Sequence, residues 1–199
     1  MKNPERARIF VVGYNDAVKF PASKITHKKF LNALFNRGIP DCRGLYDEVT
    51  KGRPRPSRNN IDKLIDTLES KGLRDVLGTN VICYSTPMGP DIGAAENDGG
   101  FEIGTKIFQC LVRSIKPKII IIHGKGAREK VEKLFGIELP EASSKPTKLS
   151  EKQITLYGAL ITFITIKSLS PPEANKWARW RCDSFDLLAT TITKKIGVD

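Results

Sequence analysis

The stretch Lys118-Ile-Ile-Ile-Ile-His123 is the purest apolar run of the chain, and it predicts a strand buried on both faces, as at the centre of a parallel sheet. Strand-like and helix-like segments alternate around it. Strands are predicted at residues 8–13, 79–84, 118–123 and 154–166, the last with a turn or bulge at Gly158-Ala159. Helices are predicted at residues 26–37, 102–115, 125–135 and 184–196, and from Ile61 to a stop at Gly72. The alternation predicts a three-layer α/β/α sandwich around a central four-stranded parallel sheet, as one domain over residues 1–199.

The composition is typical of a folded, soluble chain. Of the 199 residues, 40% are hydrophobic, which is enough for a sizeable core and excludes a disordered chain. No apolar run approaches the roughly 20 residues of a membrane-spanning helix, and the first apolar run, Ile9 to Gly13, is too short for the core of a signal peptide. We therefore expect a soluble cytoplasmic protein that does not bind membranes, and we take it to be a monomer.

The cysteine spacing argues against a metal centre. Zinc and iron–sulfur sites usually take two ligands from one tight loop, whereas the cysteines here stand far apart and form no CxxC pair. The spacing therefore predicts four free thiols and no bound metal. The thiols are those of Cys42, Cys83, Cys110 and Cys182.

The charge of the chain indicates a polyanionic partner. Its formal net charge is +11, and nucleic acid is the commonest polyanion for such a protein, although composition alone leaves a generally basic surface equally open. Clustering favours nucleic acid. The first cluster is the segment 51–58, with Lys51, Arg53, Arg55 and Arg58. The second places Lys176, Arg179 and Arg181 between Trp177 and Trp180, and cations beside aromatic rings suit phosphates and unstacked bases.

Ligands of a parallel sheet bind at the loops that leave the carboxyl ends of its strands, and three polar residues stand there. Asn15 follows the first strand, where an amide can orient a water molecule or simply turn the chain. Asn80, in the second strand, offers a donor and an acceptor together, as needed to pair with O4 and N3–H of uracil. His123 ends the third strand, and we interpret it as a strand-end histidine rather than a catalytic one.

Four ordered segments at these positions resemble the uracil-DNA glycosylase superfamily. They are Gly13-Tyr-Asn-Asp-Ala17, Thr79-Asn80, the segment 115–127, and Ser168-Leu-Ser-Pro-Pro-Glu-Ala-Asn-Lys-Trp177. The last is similar to the single-strand-selective monofunctional glycosylases, and the first to that group and to the mismatch-specific glycosylases, both of which use asparagine where Asn15 stands. The segments span Arg8 to Trp177, which is most of the chain.

The resemblance implies an enzyme that flips a damaged base out of double- or single-stranded DNA and hydrolyses its N-glycosidic bond without a cofactor. Asn15 would position the attacking water, Asn80 would read the flipped pyrimidine, and Phe20, or less favourably Phe30, would stack on it. The catalytic residues implied are Asn15, Asp16 and Ser168. The base-binding residues implied are Gly13, Tyr14, Phe20, Asn80 and Ser170. The DNA-binding residues implied are Arg53, Arg55, Arg58, Lys167, Asn175, Lys176 and Arg179.

Two departures from the family pattern keep other functions open. Asp16 replaces a proline, where its carboxylate could hold water and stabilise a cationic sugar or could spoil the loop. Ser168 replaces the histidine that supports the departing base; Lys167 could substitute, but the loss of such a contact typically lowers a rate by about 10²–10³. The mismatch-specific group works without that histidine. The alternatives are a non-catalytic nucleic-acid-binding module of the same fold and a different α/β enzyme, such as a nucleotide hydrolase that uses Asp16 or His123.

Overall fold

The structure, a computed structural model, describes residues 4–16, 25–34, 42–49, 51, 56–85 and 98–197. The strands are β1 (Ile9–Asp16), β2 (Val76–Ser85), β3 (Ile119–His123), β4 (Ser150–Leu156) and β5 (Ala159–Ile166). The helices are α1 (His27–Leu34), α2 (Cys42–Val49), α3 (Pro56–Ser70), α4 (Gly100–Ile115), α5 (Lys125–Phe135), α6 (Glu173–Lys176) and α7 (Arg181–Ile196). Short 3-10 helices lie at Pro4–Arg6 and Ala178–Trp180.

The described strands form one sheet in the order β2-β1-β3-β5-β4. Four of them are parallel, as predicted, but β4 is a fifth strand and pairs antiparallel with β5. The prediction of one strand over 154–166 was therefore wrong. Tyr157 and Gly158 both have positive φ, 51° and 74°, which is the requirement for a two-residue hairpin turn. This turn divides the segment and gives the sheet an antiparallel edge.

Helices cover both faces of the sheet, so the predicted three-layer α/β/α architecture is confirmed. On one face, which we call face A, apolar side chains of α3 and α7 pack on β1, β3 and β5; Leu64 and Leu188 are examples of fully buried contributors. On the opposite face, face B, α4 and α5 cover the sheet with residues such as Phe108 and Val131. A smaller cluster joins Ile25, Ala33 and Leu45 near α1 and α2. No helix within the described ranges is both long and apolar enough to cross a membrane.

The connections place a topological switch between β1 and β3. These two strands are neighbours, yet the helix that precedes β2, α3, packs on face A, whereas the helix that follows β3, α5, packs on face B. Ligands of open α/β sheets bind above the carboxyl ends of the strands at such a switch point, and we call this end of β1 and β3 the crevice. The residues at this point are Gly13 on β1 and His123 on β3.

Candidate active site

Gly13 is the point at which three strands bring polar side chains together. It pairs with Asn80 of β2, and because Val12 pairs with Ile122 of β3 it lies beside His123. A Cβ on Gly13 would lie 2.6 Å from Asn80 Oδ1 and 2.9 Å from His123 Nε2. Real Cβ atoms do not approach other atoms so closely. Glycine at this position therefore lets a carboxamide and an imidazole converge on the same spot of face A.

The His123 imidazole is buried without hydrogen-bond partners. The residue is 7% exposed, and neither Nδ1 nor Nε2 bonds to any part of the chain that the structure describes. Burial lowers the pKa of His123 to about 4, so at neutral pH the ring is uncharged, with one N–H donor and one acceptor nitrogen. A buried polar group without a partner destabilises a fold by about 1–3 kcal/mol, and such groups are concentrated at functional sites.

The Asn80 carboxamide is half-buried beside this imidazole. The Asn80 carbonyl oxygen of the main chain accepts a hydrogen bond of 3.0 Å from Cys83 Sγ. Desolvation raises the pKa of the Cys83 thiol, which keeps it protonated as a donor and holds the backbone of β2 at this point. The side-chain amide bonds to no residue in the described ranges, so both its donor and its acceptor can serve a ligand.

The remaining residues of the first motif lie at the end of β1. Asn15 is half-buried and follows two residues after Gly13, the position that strand alternation gives to the same face; it pairs with Ile82 of β2. Tyr14 instead belongs to face B, where a Cβ on Gly126 would lie 3.3 Å from its ring. The structure therefore separates Tyr14 from the polar side chains on face A. The strand register shifts between Asn15 and Asp16, and the side chain of Asp16 lies outside the described residues.

The loop after β5 reaches the end of β3. A Cβ on Gly124, which directly follows His123, would lie 3.3 Å from Ser168 Cβ. Ser168 Oγ accepts a hydrogen bond of 3.1 Å from Ser170 N, which leaves the hydroxyl hydrogen free to donate elsewhere. Ser168 is thus next to the crevice, as the resemblance implies, and Ser170 fixes the orientation of its hydroxyl.

Asn15, Asn80, His123 and Ser168 therefore lie around Gly13 at one end of the sheet. Comparisons of the chain with models of protein families and with curated proteins find no match. The function must be inferred from the chemistry of these side chains.

Trp177 is part of the core and does not stack on a ligand. It is 2% exposed, its ring packs edge-on against Phe185, and its Nε1 donates a hydrogen bond of 3.0 Å to Ser168 O. Alternation of Trp and Arg in the segment 176–181 suggested exposed aromatic rings, and for Trp177 that interpretation was wrong. The Trp177 side chain therefore holds the Ser168 loop in place. Asn60 Nδ2 stabilises the same loop by donating a hydrogen bond of 2.8 Å to Leu169 O.

Lysines line a cleft beside the same loop. Lys145, Lys148 and Lys167 line it over a floor that includes Trp177 and Phe185. Sequence reasoning named Lys167 but missed the other two, although the segment Lys145-Pro-Thr-Lys148 carries two cations in four residues.

The other predicted DNA-binding residues are on the surface or outside the described residues. Asn175 and Arg179 are exposed, and Lys176 forms an exposed ion pair with Glu173. Arg58 Nε lies 2.9 Å from Asp62 Oδ1 on α3. Phe20, Arg53 and Arg55 are not among the described residues, and neither is the side chain of Phe30. Within the described ranges, no cluster of three His, Cys, Asp or Glu residues could hold a metal ion.

Proposed function

We propose that this protein is a DNA glycosylase that hydrolyses the N-glycosidic bond of uracil, or of another deaminated base, flipped out of DNA. The observation that carries the proposal is the convergence of Asn80 Oδ1 and His123 Nε2 on the Cβ-less Gly13 in the crevice between β1 and β3. Such a crevice is the usual ligand site of this architecture. The half-buried carboxamide of Asn80 offers the donor and the acceptor needed to pair with the edge of one base.

The proposed hydrolysis needs a water molecule as the nucleophile and a leaving base that can accept the bonding electron pair, and it needs no bound metal. The oxygen of a water molecule bonds to C1′ of the deoxyribose while the C1′–N bond breaks, and the bonding electron pair leaves with the base. The water gives up a proton to solvent, and the departed base anion takes one from solvent. Asn15, on the strand that carries Gly13, would hold and orient this water, and Asn80 would hold the base. Fixed dipoles of this kind stabilise charge that develops in a transition state.

The electrostatics of the surface support DNA as the substrate. The net charge of +11 favours a polyanion. The lysine-lined cleft of Lys145, Lys148 and Lys167 lies beside the Ser168 loop, so phosphates that flank a base in the crevice would pass close to these cations. Exposed Arg179 extends the positive surface beyond the loop.

The test is an excision panel. The protein is incubated with single- and double-stranded oligonucleotides that carry uracil, hypoxanthine or xanthine, and alkali then cleaves any abasic site. We expect cleavage with at least one of the three bases. Asn15→Ala should lower the single-turnover rate by about 10²–10³, and Asn80→Asp should change the preferred base, because a carboxylate cannot donate a hydrogen bond.

A carboxamide variant far from the crevice serves as the control. Gln153→Ala removes a carboxamide from the edge strand β4, far from the crevice, and should leave the rate unchanged. No product with any base at stoichiometric enzyme would refute the proposal.

A non-catalytic nucleic-acid-binding module is the second candidate, and one observation favours it. Ser168 stands where the resembled family has the histidine that supports the departing base, and His123, the histidine beside Gly13, has a pKa of about 4 and is neutral. This candidate predicts salt-sensitive DNA binding without excision. Absence of DNA binding even at low salt would exclude it and would also weaken the first proposal.

A further inference from the structure

We infer that Cys83 is a positioning residue: its thiol holds the main chain of Asn80 so that the carboxamide faces Gly13. This inference rests on the proposed function, in which Asn80 pairs with the flipped base. Asn80 lies on β2, which is at the edge of the described sheet and pairs there with β1 alone. The thiol supplies a second attachment, because Cys83 Sγ donates a hydrogen bond of 3.0 Å to Asn80 O.

A bulge in β2 brings the thiol back to Asn80. The register of β1 and β2 shifts after Asn15, where one further residue of β1 is matched by three of β2, 83–85. The strand curls here: Thr79 Oγ1 lies 3.6 Å from Cys83 Sγ, whereas the Cα atoms of residues four apart in a straight strand are about 13 Å apart. Bulges next to binding sites re-aim side chains, and this one returns the Cys83 thiol to the main chain at Asn80.

Helix α4 fixes the position of Cys83. A Cβ on Gly104 of α4 would lie 3.0 Å from Cys83 N and 2.9 Å from Ile82 Cγ2, so a side chain at Gly104 would push the helix away from the bulge. The thiol has one hydrogen, which it donates to Asn80 O, and the Thr79 hydroxyl can in turn donate to the sulfur. The sulfur is therefore held by its own neighbours and passes that constraint to Asn80.

The constraint should matter for the choice between bases. Asn80 Oδ1 lies 2.6 Å from the point where a Cβ on Gly13 would be, so one end of the carboxamide faces β1. Uracil presents the acceptor O4 and the donor N3–H, and cytosine presents a donor amino group and the acceptor N3 at the same positions. A carboxamide held in one orientation fits one order only, whereas a carboxamide that is free to rotate fits both. Loosening Asn80 should therefore weaken discrimination between uracil and cytosine.

The competing explanation is a thiol that only fills the bulge. Replacing such a thiol would change the free energy of unfolding, but the protein that remains folded would still distinguish the two bases as before. The two explanations therefore differ in the ratio of the affinities for uracil and cytosine.

The test compares Cys83→Val, which has a similar volume and no S–H donor, with Cys83→Ser, which keeps a donor. Affinities are measured for single-stranded oligonucleotides with 2′-fluoro-2′-deoxyuridine or 2′-fluoro-2′-deoxycytidine at one position, because the fluorine destabilises a cationic sugar and prevents cleavage. We expect the preference for uracil to fall about two- to tenfold in Cys83→Val, the worth of one hydrogen bond, and Cys83→Ser to keep most of it. Cys110→Val, at an exposed thiol of α4, is the matched control and should not change the preference. If Cys83→Val does not fold, Cys83→Ala takes its place.

The outcomes separate this inference from the proposed function, which the excision panel tests. A preference for uracil that is unchanged in Cys83→Val would overturn the inference, whether or not the parent protein excises uracil. An equal loss in Cys83→Val and Cys83→Ser would also overturn it, because the hydrogen bond would then not be the cause. A loss in Cys83→Val alone, without excision by the parent, would support the inference and refute the proposed catalysis. No preference for uracil in the parent would overturn the inference together with the proposed role of Asn80.

Discussion

Acid should destabilise this protein through His123, and the size of the effect follows from its burial. Burial lowers the pKa of His123 from 6.5 to about 4. Between these two pH values the unfolded chain carries a proton on this imidazole and the native chain does not, so lowering the pH favours unfolding. From linkage, the native state loses about 2 kcal/mol between pH 8 and pH 5, and about 3 kcal/mol once the pH is below 4.

The assay is urea unfolding of the parent protein and of His123→Gln at pH 8, 6.5 and 5. Every other titratable group is common to both proteins, so the difference between the two curves isolates His123. With a urea slope of roughly 2 kcal/mol per molar, the midpoint of the parent should fall by about 1 M more than that of the variant between pH 8 and pH 5.

The direction in which stability changes with pH also tests the burial of His123. A raised pKa, as expected for an imidazole held by a carboxylate, would instead stabilise the parent protein as the pH falls. Parallel curves for the two proteins from pH 8 to pH 5 would refute the conclusion that His123 is buried and neutral.

Two further predictions test the geometry and the DNA surface. Gly13→Ala should lower the free energy of unfolding by about 1–3 kcal/mol and abolish uracil excision, because its methyl group would meet Asn80 Oδ1 at 2.6 Å. The matched control is Gly78→Ala, whose Cβ would have only a neighbour at 3.9 Å; it should unfold at the same or a higher urea concentration and excise uracil normally. Replacing both Lys145 and Lys148 by Ala should reduce the slope of log affinity against log salt for a single-stranded oligonucleotide by about 1–2, whereas Lys106→Ala on α4 should leave it unchanged. Equal slopes for the parent protein and the double variant would show that the cleft does not bind phosphates.

The fold could be predicted largely because its core strands are unambiguous. Four consecutive β-branched residues bounded by Lys-Pro-Lys and His-Gly favour a fully buried strand, and β3 begins and ends within one residue of the prediction. A turn or bulge was expected at Gly158-Ala159, but the separate antiparallel strand β4 was missed, because the turn also contains Tyr157, an unfavourable residue for positive φ. α2 was missed because it is only eight residues long and contains Gly44, and glycine lowers the helix propensity of a short segment.

The candidate site was only partly predictable. The end of the first strand selected Asn15, and the paired donor and acceptor of its amide selected Asn80, which lies in the middle of β2. This reasoning could not show that Gly13 is flanked by Asn80 and His123 at once, because this depends on the order β2-β1-β3, which the chain order does not contain. For the same reason His123 was interpreted as a strand-end residue: its burial is visible from its neighbours, but its lack of a partner is visible only in three dimensions.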